Sequence, residues 1–294
     1  MDDGMVAAKP ITKGMSAVTV TMWVKGEYKI GNLLRGPVII HFQNDMGFYL
    51  SGQDGKGSGY LDWDRNIADS QNWRHLAAVW SSPGVGDGKM KLYIDGIKQK
   101  NELAYAGGTG GLAGGYLCLA GRFNHRIGAF RGELEDVRIY DRALTDEEVF
   151  DVYRGNGFDV VTNGLAVWYP LKDKDAELMI ENNGFAIRDK SGNGRHGEIK
   201  GAPVWKNDDA AAQKRSAQIG IACENLGRKK AKCETLRQSL TKWFEEHPSG
   251  HMKWRARFDE LNKKNSATFR EIGMLRDYNE LHAEIGLAEL YETK

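Results

Sequence analysis

The stretch Gly-Glu-Leu-Glu-Asp-Val-Arg-Ile-Tyr-Asp-Arg-Ala-Leu, at residues 132–144, carries the strongest structural signal in this sequence. In an extended strand, Glu133 and Glu135 share one face and Leu134 lies on the other, because side chains alternate along a strand. Thr145 and three acidic residues follow directly, and apolar residues then recur at helical spacing. This pattern predicts a short helix that is capped by Thr145 and ended by the glycines that follow it.

Short apolar runs alternate with turn residues through the first two thirds of the chain. The runs are β-branched or aromatic, and dipeptides such as Asp87-Gly88 and Asp95-Gly96 are typical turns between them. Regular short strands joined in this way indicate an antiparallel β-sandwich or jelly roll rather than a parallel α/β sheet. The predicted strands are residues 18–24, 38–42, 47–50, 73–80 and 89–94.

The bulk composition excludes several classes of protein. The chain has 294 residues with 41 basic and 40 acidic side chains, a net charge of +1, which offers no general electrostatic reason to bind nucleic acid. No run of about 18 apolar residues is present in the sequence, so we expect no membrane insertion. Residues 1–5 do not resemble a secretory signal, and three cysteines argue against a disulfide framework. If the chain is complete, an intracellular location is favoured.

The composition changes after about residue 207, where glycine becomes scarce and Lys, Arg, Glu, Ala and Leu dominate. Apolar residues recur every three to four positions in two sets, at 219–243 and 254–285. The sequence His-Pro-Ser-Gly at 247–250 forces a turn between them. The pattern predicts a helical hairpin or coiled coil over residues 207–294, which packs within the chain, self-associates or docks on a protein partner.

Four soft metal ligands lie in this helical extension: Cys223, Cys233, His247 and His251. The cysteines are ten residues apart, which is too far for a disulfide within one helix. The spacing of the four matches no usual zinc pattern, so an exposed turn is the simpler explanation of the two histidines.

Four segments resemble the laminin-G-like, pentraxin-like form of the concanavalin A-like lectin/glucanase superfamily. They occur in the family's usual order, cover about residues 11–155, and imply a jelly roll that we place at residues 11–205. The opening stretch is part of the most specific segment, which corresponds to the family's closing strand and helix. The segments are residues 18–25 (ending Trp-Val-Lys), 72–80 (with Trp-Arg-His-Leu-Ala), 91–96 (with Leu-Tyr-Ile-Asp-Gly) and 130–149.

A fifth segment of the family pattern is out of order. Residues 163–171 and 189–197 resemble the start of such a domain, yet here they follow its closing strand. Circular permutation would let residues 160–205 complete their own jelly roll, because the termini of a domain often lie close together. A domain swap would complete a neighbouring subunit instead. A truncated tandem array is the third explanation, and it would leave unpaired sheet edges.

The resemblance also implies a calcium site, because relatives commonly hold this ion between the closing strand and the loop at residues 189–194. The matching positions are Asp136, Asp189 and Asn193, and oxygen ligands on a tight loop suit calcium. The alternative is that Asp189 and Asn193 only form the turn, through hydrogen bonds between side chain and backbone. We expect Asp136 to meet this loop in space, although the order along the chain is reversed.

Hydrolases of this fold carry a Glu-x-Asp-x-x-Glu motif on one strand, with the carboxylates on one face. Glu133 and Glu135 share a face, but no third carboxylate follows Asp136 until Asp141. We therefore expect no catalytic residues. Glu133 and Glu135 are better interpreted as the solvated face of the closing strand, with Leu134 pointing inward.

Two polar and aromatic stretches lie between predicted strands, at residues 60–66 and 122–126. Sugar sites combine an aromatic platform with planar hydrogen-bonding groups, and these stretches contain both; ordinary loops are the alternative. The candidate ligand-binding residues are Trp63, Asp62, Asp64, Asn124 and Arg126.

These observations favour a non-catalytic recognition or structural module. The jelly roll would bind protein or glycan, and the helices would anchor it in an oligomer or a larger assembly. A calcium-dependent glycan-binding lectin is the first alternative, and a glycoside hydrolase is the second.

Overall fold

The computed structural model describes residues 4–7, 11–27, 30–43, 45–51, 58–62, 72–83, 85–104, 112–114, 117–120, 130–158, 161–172, 177–181, 184–200, 204–206, 209–247, 252–264 and 278–286. The contacts divide the chain into two units, Met1–Asp209 and Ala210–Lys294. The strands are β1 (Gly4–Ala7), β2 (Ala17–Glu27), β3 (Ile30–Arg35), β4 (Val38–Gln43), β5 (Asp45–Ser51), β6 (Ser58–Asp62), β7 (Arg74–Ser81), β8 (Lys89–Ile94), β9 (Ile97–Ala104), β10 (Cys118–Leu119), β11 (Arg131–Tyr140), β12 (Leu165–Tyr169), β13 (Leu178–Glu181), β14 (Gly184–Ile187) and β15 (Gly197–Lys200). The helices are α1 (Asp146–Gly155), α2 (Asp209–Glu246) and α3 (Met252–Lys264).

Two antiparallel sheets form the first unit, and the predicted jelly roll is confirmed. One sheet has nine strands in the order β13-β14-β15-β1-β10-β3-β4-β5-β6, and the other has six in the order β12-β11-β2-β7-β8-β9. All the strand runs expected from the sequence lie in these strands, apart from one terminal residue at Trp73. Local β-propensity and turn chemistry therefore account for β2, β4, β5, β7 and β8.

The main core lies between the two sheets, and the alternation of side chains along each strand builds it. On β2, Val18, Val20 and Met22 are fully buried against the side chains of the nine-stranded sheet. Leu134 packs on this core as expected. The six-stranded sheet is covered on its other face as well, so it is a central layer and not a solvated surface.

Helix α1 provides that second cover. Thr145 accepts a hydrogen bond from the backbone of Glu148, whose carboxylate in turn accepts from the backbone of Thr145, which confirms the predicted N-cap as a reciprocal capping box. The helix ends at Asn156, which adopts the left-handed conformation before Gly157. Val149 and Val152 pack with Val79, Tyr93 and other side chains of the six-stranded sheet in a second core cluster.

Strand β12, from the segment that is out of order, pairs with β11 of the same chain. The register places Val137 opposite Tyr169 and Arg138 opposite Trp168. Farther along the same segment, β15 pairs with β1, so residues from 165 to 200 contribute to both sheets. Circular permutation predicts such pairing within one chain; permutation and domain swapping both stay predictions.

In the described part of the second unit, the long α2, the shorter α3 and the helical residues 278–286 share one apolar cluster, while residues 265–277 lie outside the described residues. Across the described residues, no helix has the length and apolarity to cross a bilayer. The buried members of the cluster are Cys233, Leu240, Phe244, Phe258, Leu261, Tyr278, Leu281 and Ile285.

Candidate functional site

A β-bulge in β11 sets the position of Asp136. The pairing of β11 with β2 shifts register between Glu135 and Arg138, and Asp136 takes a φ of 51° there. Its backbone N–H donates to the carbonyl of Pro170 (2.8 Å), and its side chain is fully buried. A bulge re-aims a side chain that would otherwise follow the strand's alternation. Here it turns a carboxylate toward the end of β12.

The Asp136 carboxylate is held by two donors inside the protein. Its Oδ1 accepts from Nε of Arg138 (2.9 Å) and from Nε1 of Trp168 (2.8 Å). The Arg138 guanidinium lies 4.5 Å from the centre of the Trp168 ring, and its Nη2 donates to the carbonyl of Phe158 (2.9 Å). Burial lowers the pKa of Arg138, but the adjacent Asp136 carboxylate outweighs this and raises the pKa overall, so the guanidinium stays charged.

The loop after β14 is organised around the Asp189 carboxylate. Its Oδ1 accepts from the backbone of Trp168 (3.0 Å) and of Ser191 (2.9 Å). Its Oδ2 accepts from the hydroxyl of Ser191 and from the backbone of Arg195, both at 2.9 Å. Asn193 Nδ2 donates to the carbonyls of Leu165 (2.9 Å) and Ala166 (3.1 Å). The loop therefore covers the outer edge of β12, which would otherwise present unpaired backbone groups.

Trp168 joins the two regions that the sequence predicts to meet. Its indole donates to Asp136, and its backbone N–H donates to Asp189. The two carboxylates thus lie on either side of one residue of β12. From the sequence we did not predict that Trp168 contacts both carboxylates. Its position in the segment that is out of order indicated only that it belongs to a jelly roll.

A pocket of about 550 Å³ opens at the end of the sandwich where β2 begins and β7 ends. The side chains that line the pocket come from four regions that lie far apart in sequence, so no local sequence motif predicts the pocket. The lining residues are Ile11, Lys13, Gly14, Met15, Ser16, Ala17, Ser81, Val85, Asp141, Arg142, Ala143 and Arg195.

The two facing sheets, closed by the strand that contains residues 132–140 and followed at once by α1, decide the family. The chain belongs to the concanavalin A-like lectin/glucanases superfamily. The family model matches residues 2–150, about half of the chain. The superfamily match thus ends within α1, and β12 to β15 extend the jelly roll beyond it.

Solved structures with similar folds include a heptameric SAP-like pentraxin from Limulus polyphemus, which is 19% identical (TM-score 0.41; 51% of this chain and 75% of the pentraxin covered). A candidate carbohydrate-binding protein from Bacteroides ovatus is also 19% identical (TM-score 0.48; 68% and 58% covered). The CBM40 domain of the Ruminococcus gnavus IT-sialidase is 15% identical (TM-score 0.34; 52% and 98% covered). Likenesses this distant do not identify a ligand. No curated protein sequence matches the chain.

The calcium site implied by the superfamily does not fit the side chains found here. Both oxygens of Asp189 already accept two hydrogen bonds each, and Asn193 turns its amide NH₂ toward β12. Oδ2 of Asp136 has no hydrogen-bond partner among the described residues, but the Arg138 cation lies against the same carboxylate and would repel a second cation. The geometry favours the alternative in which Asp189 and Asn193 form the turn.

Two of the three carboxylates of the closing strand, those of Glu133 and Glu135, are engaged by lysines. Glu133 Oε1 lies 3.5 Å from Lys25 Nζ and 3.0 Å from Lys206 Nζ. Glu135 Oε1 lies 3.0 Å from Lys172 Nζ, and its side chain is buried. The expected solvated face is therefore wrong for Glu135, because the chain after β12 brings Lys172 over it. Glu133 and Glu135 thus form three ion pairs instead of an open carboxylate pair.

The structure describes only one of the five candidate sugar residues, so the sugar site stays a prediction. Asp62 ends β6 and is exposed, whereas Trp63, Asp64, Asn124 and Arg126 lie outside the described residues. In the second unit, Cys233 is buried in the helical cluster and the His247 ring stacks on Trp243. His251 lies outside the described residues, and among those described no group of three metal-ligating side chains occurs.

Proposed function

We propose that the jelly roll is a non-catalytic binding module that recognises glycans. The observation that carries the proposal is the state of the closing strand, where the carboxylates of Glu133 and Glu135 are both held by lysines. A glycoside hydrolase needs one carboxylic acid that keeps its proton near neutral pH and a second carboxylate free to attack or to activate water. Lys172 lies against Glu135, and Lys25 and Lys206 lie against Glu133, so neither carboxylate is free for the second role.

The carboxyl groups whose pKa is shifted support the same conclusion. In the part of the chain that the structure describes, every carboxyl pKa that clearly departs from its ordinary value is lowered. Burial raises the pKa at two of them, but neighbouring lysine ammonium groups outweigh it, and arginine hydrogen bonds dominate at the other two. None of these groups is suited to act as a general acid. The four are Asp87, Glu102, Glu148 and Glu234.

We assign the glycan contact to the stretches at residues 60–66 and 122–126. Trp63 would stack on the apolar face of a sugar ring, and the polar side chains beside it would bind the hydroxyl groups. Asp62, exposed at the end of β6, is the member of this set whose position supports the assignment. The polar partners we assign to Trp63 are Asp62, Asp64, Asn124 and Arg126.

A glycan array with the full chain tests this proposal. We expect the wild type to bind a restricted set of glycans, and Trp63→Ala to lose that binding by tenfold or more, about the value of one buried aromatic contact. Phe158→Ala is the matched control, because Phe158 is an aromatic side chain that is 74% exposed and belongs to neither stretch. Silence of the wild type on the array, or release of reducing sugar from a bound glycan, would contradict the proposal.

We further propose that the helical unit anchors the protein by self-association or by docking on a protein partner. Ile221, an apolar side chain of α2 that is 58% exposed, supports this proposal. The buried cluster of the three helical segments favours packing within one chain as the alternative. Light scattering at increasing concentration separates the two: a mass above 32.8 kDa that falls for Ile221→Ser supports self-association, and a constant monomer mass contradicts it.

A further inference from the structure

The pocket at the end of the sandwich combines an apolar floor with a basic rim. Ile11 and Ala17 are buried at its base, and Val85 is 65% exposed at its mouth. The rim carries three basic side chains, Lys13, Arg142 and Arg195, against one acidic side chain, Asp141. The volume of about 550 Å³ is large enough for a small ligand such as one sugar ring with its substituents.

Of the three cations, Arg142 is already committed to the protein. Its Nη1 and Nη2 donate to the two carboxylate oxygens of Glu148 (2.7 and 2.6 Å), and its Nε donates to the carbonyl of Asn163 (2.9 Å). This bidentate pair raises the pKa of Arg142 and fixes the group as part of the wall. It is therefore not the group that would bind an anion.

Arg195 is held in place and still has donors to offer. Its backbone N–H donates to Asp189, its carbonyl accepts from the hydroxyl of Tyr169, and its Nη1 donates to the carbonyl of Ala166 (3.2 Å). No carboxylate among the described residues forms an ion pair with this guanidinium. The backbone and one guanidinium nitrogen of Arg195 are held by hydrogen bonds, and within the described residues its other N–H groups are free. Such a guanidinium is preorganised to bind a carboxylate.

Lys13 adds a second cation from a fixed turn. The backbone N–H of Met15 donates to the carbonyl of Thr12 (3.1 Å), and Gly14 donates to the carbonyl of Leu112 (3.0 Å). The exposed Lys13 side chain lies at the tip of this turn. Glu148 neutralises the charge of Arg142. The charges left at the rim are therefore those of Lys13 and Arg195 against that of Asp141, which is an excess of one positive charge.

We propose that this pocket binds the carboxylate of an acidic sugar, with Arg195 and Lys13 as the anion-binding groups and the apolar floor beneath the ring. The proposal rests on the glycan-binding function above but uses a different part of the module from residues 60–66. It assigns a role to the 189–195 loop: the hydrogen bonds that close the edge of β12 also aim Arg195 into the pocket.

Ligand-observed NMR titration with methyl glucuronide and methyl glucoside tests the proposal, because the two sugars differ at the carboxylate. We expect the glucuronide to bind the full chain at least about tenfold more tightly than the glucoside. Arg195→Gln should remove most of that preference. Asp141→Asn should strengthen glucuronide binding, since it removes the one negative charge of the rim. Arg154→Gln, at an exposed ion pair with Asp151, is the control and should change nothing.

Equal affinity for the two sugars, or an Arg195→Gln variant that keeps the preference, would overturn the proposal. Competition by acetate as effective as by glucuronide would show a general anion site and overturn the assignment to a sugar. The pocket proposal and the assignment of glycan binding to residues 60–66 can also be refuted separately. Array binding that depends on Trp63 without any glucuronide preference would refute the pocket alone, whereas a glucuronide preference without binding that depends on Trp63 would refute the loop assignment alone.

Discussion

Replacing Asp189 by alanine tests the central claim about the 189–195 loop, namely that the carboxylate acts as a hydrogen-bond acceptor and not as a calcium ligand. The side chain is 6% exposed and accepts four hydrogen bonds, from Trp168, Ser191 (two) and Arg195. A hydrogen bond to a charged group contributes about 1.5–3 kcal/mol to stability. Because Ser191 and Arg195 are only half-buried, water can replace part of the lost hydrogen bonding in the variant. We therefore expect a loss of about 3 kcal/mol in the free energy of unfolding.

Thermal and urea unfolding of the full chain measure this loss, which corresponds to a fall in Tm of about 6–12 °C for a unit of this size. Asp189→Asn keeps one oxygen acceptor and should lose about half as much. Amide hydrogen exchange should speed up at Trp168 and Arg195, whose N–H groups lose their acceptor. Asp151→Ala, at the exposed pair with Arg154, is the control and should change stability by less than about 0.5 kcal/mol.

The experiment is run with added calcium and again with a chelator. The hydrogen-bond account requires the same loss in both buffers, because no ion takes part in it. A loss that appears with calcium and vanishes with the chelator would refute the account and restore the calcium site at Asp136, Asp189 and Asn193. A loss below about 1 kcal/mol in both buffers would also refute it, since the loop would then not depend on the carboxylate.

Asp136→Ala should lower the free energy of unfolding by about 3–5 kcal/mol, because it leaves the fully buried Arg138 without its counter-charge. Urea denaturation measures this loss, and a value below about 1 kcal/mol would be inconsistent with the ion pair. The hydrogen bond from Arg142 lowers the pKa of Glu148, so its contribution is present above the ordinary pKa of 4.5 and is lost as the pH falls through the lower folded value. The Tm difference between wild type and Glu148→Gln should therefore be constant from about pH 6 to 8 and should shrink below pH 4.5. The difference should be small, because the ion pair is partly exposed. A difference that persists in acid argues against the ion pair. Leu240→Ala, at the centre of the helical cluster, should cost about 2–5 kcal/mol, seen as loss of the helical circular dichroism signal at lower urea, and an unchanged midpoint would contradict the cluster.

The sequence by itself determined the features that depend on near neighbours along the chain. The strands from β2 to β8 that were predicted follow from alternating apolar residues and turn dipeptides, and the capping box at Thr145 joins residues three positions apart. The segment at 132–144 identifies the superfamily for the same reason, because its strand and bulge are contiguous and α1 begins directly after it. The expectation that Asp136 and the 189–193 loop meet came from the family pattern.

Only the tertiary structure decided how distant segments share one site. Trp168 reaches Asp136 through its indole and Asp189 through its backbone, and neither bond is legible in a sequence where the partners are 32 and 21 residues away. The burial of Glu135 depends on Lys172, which arrives from beyond β12. The pocket around Arg195 is assembled from four regions that the sheet topology brings to one end of the sandwich. Local propensity fixes which residues form strands, but charge, burial and hydrogen bonding at a site depend on contacts that exist only after the strands have paired.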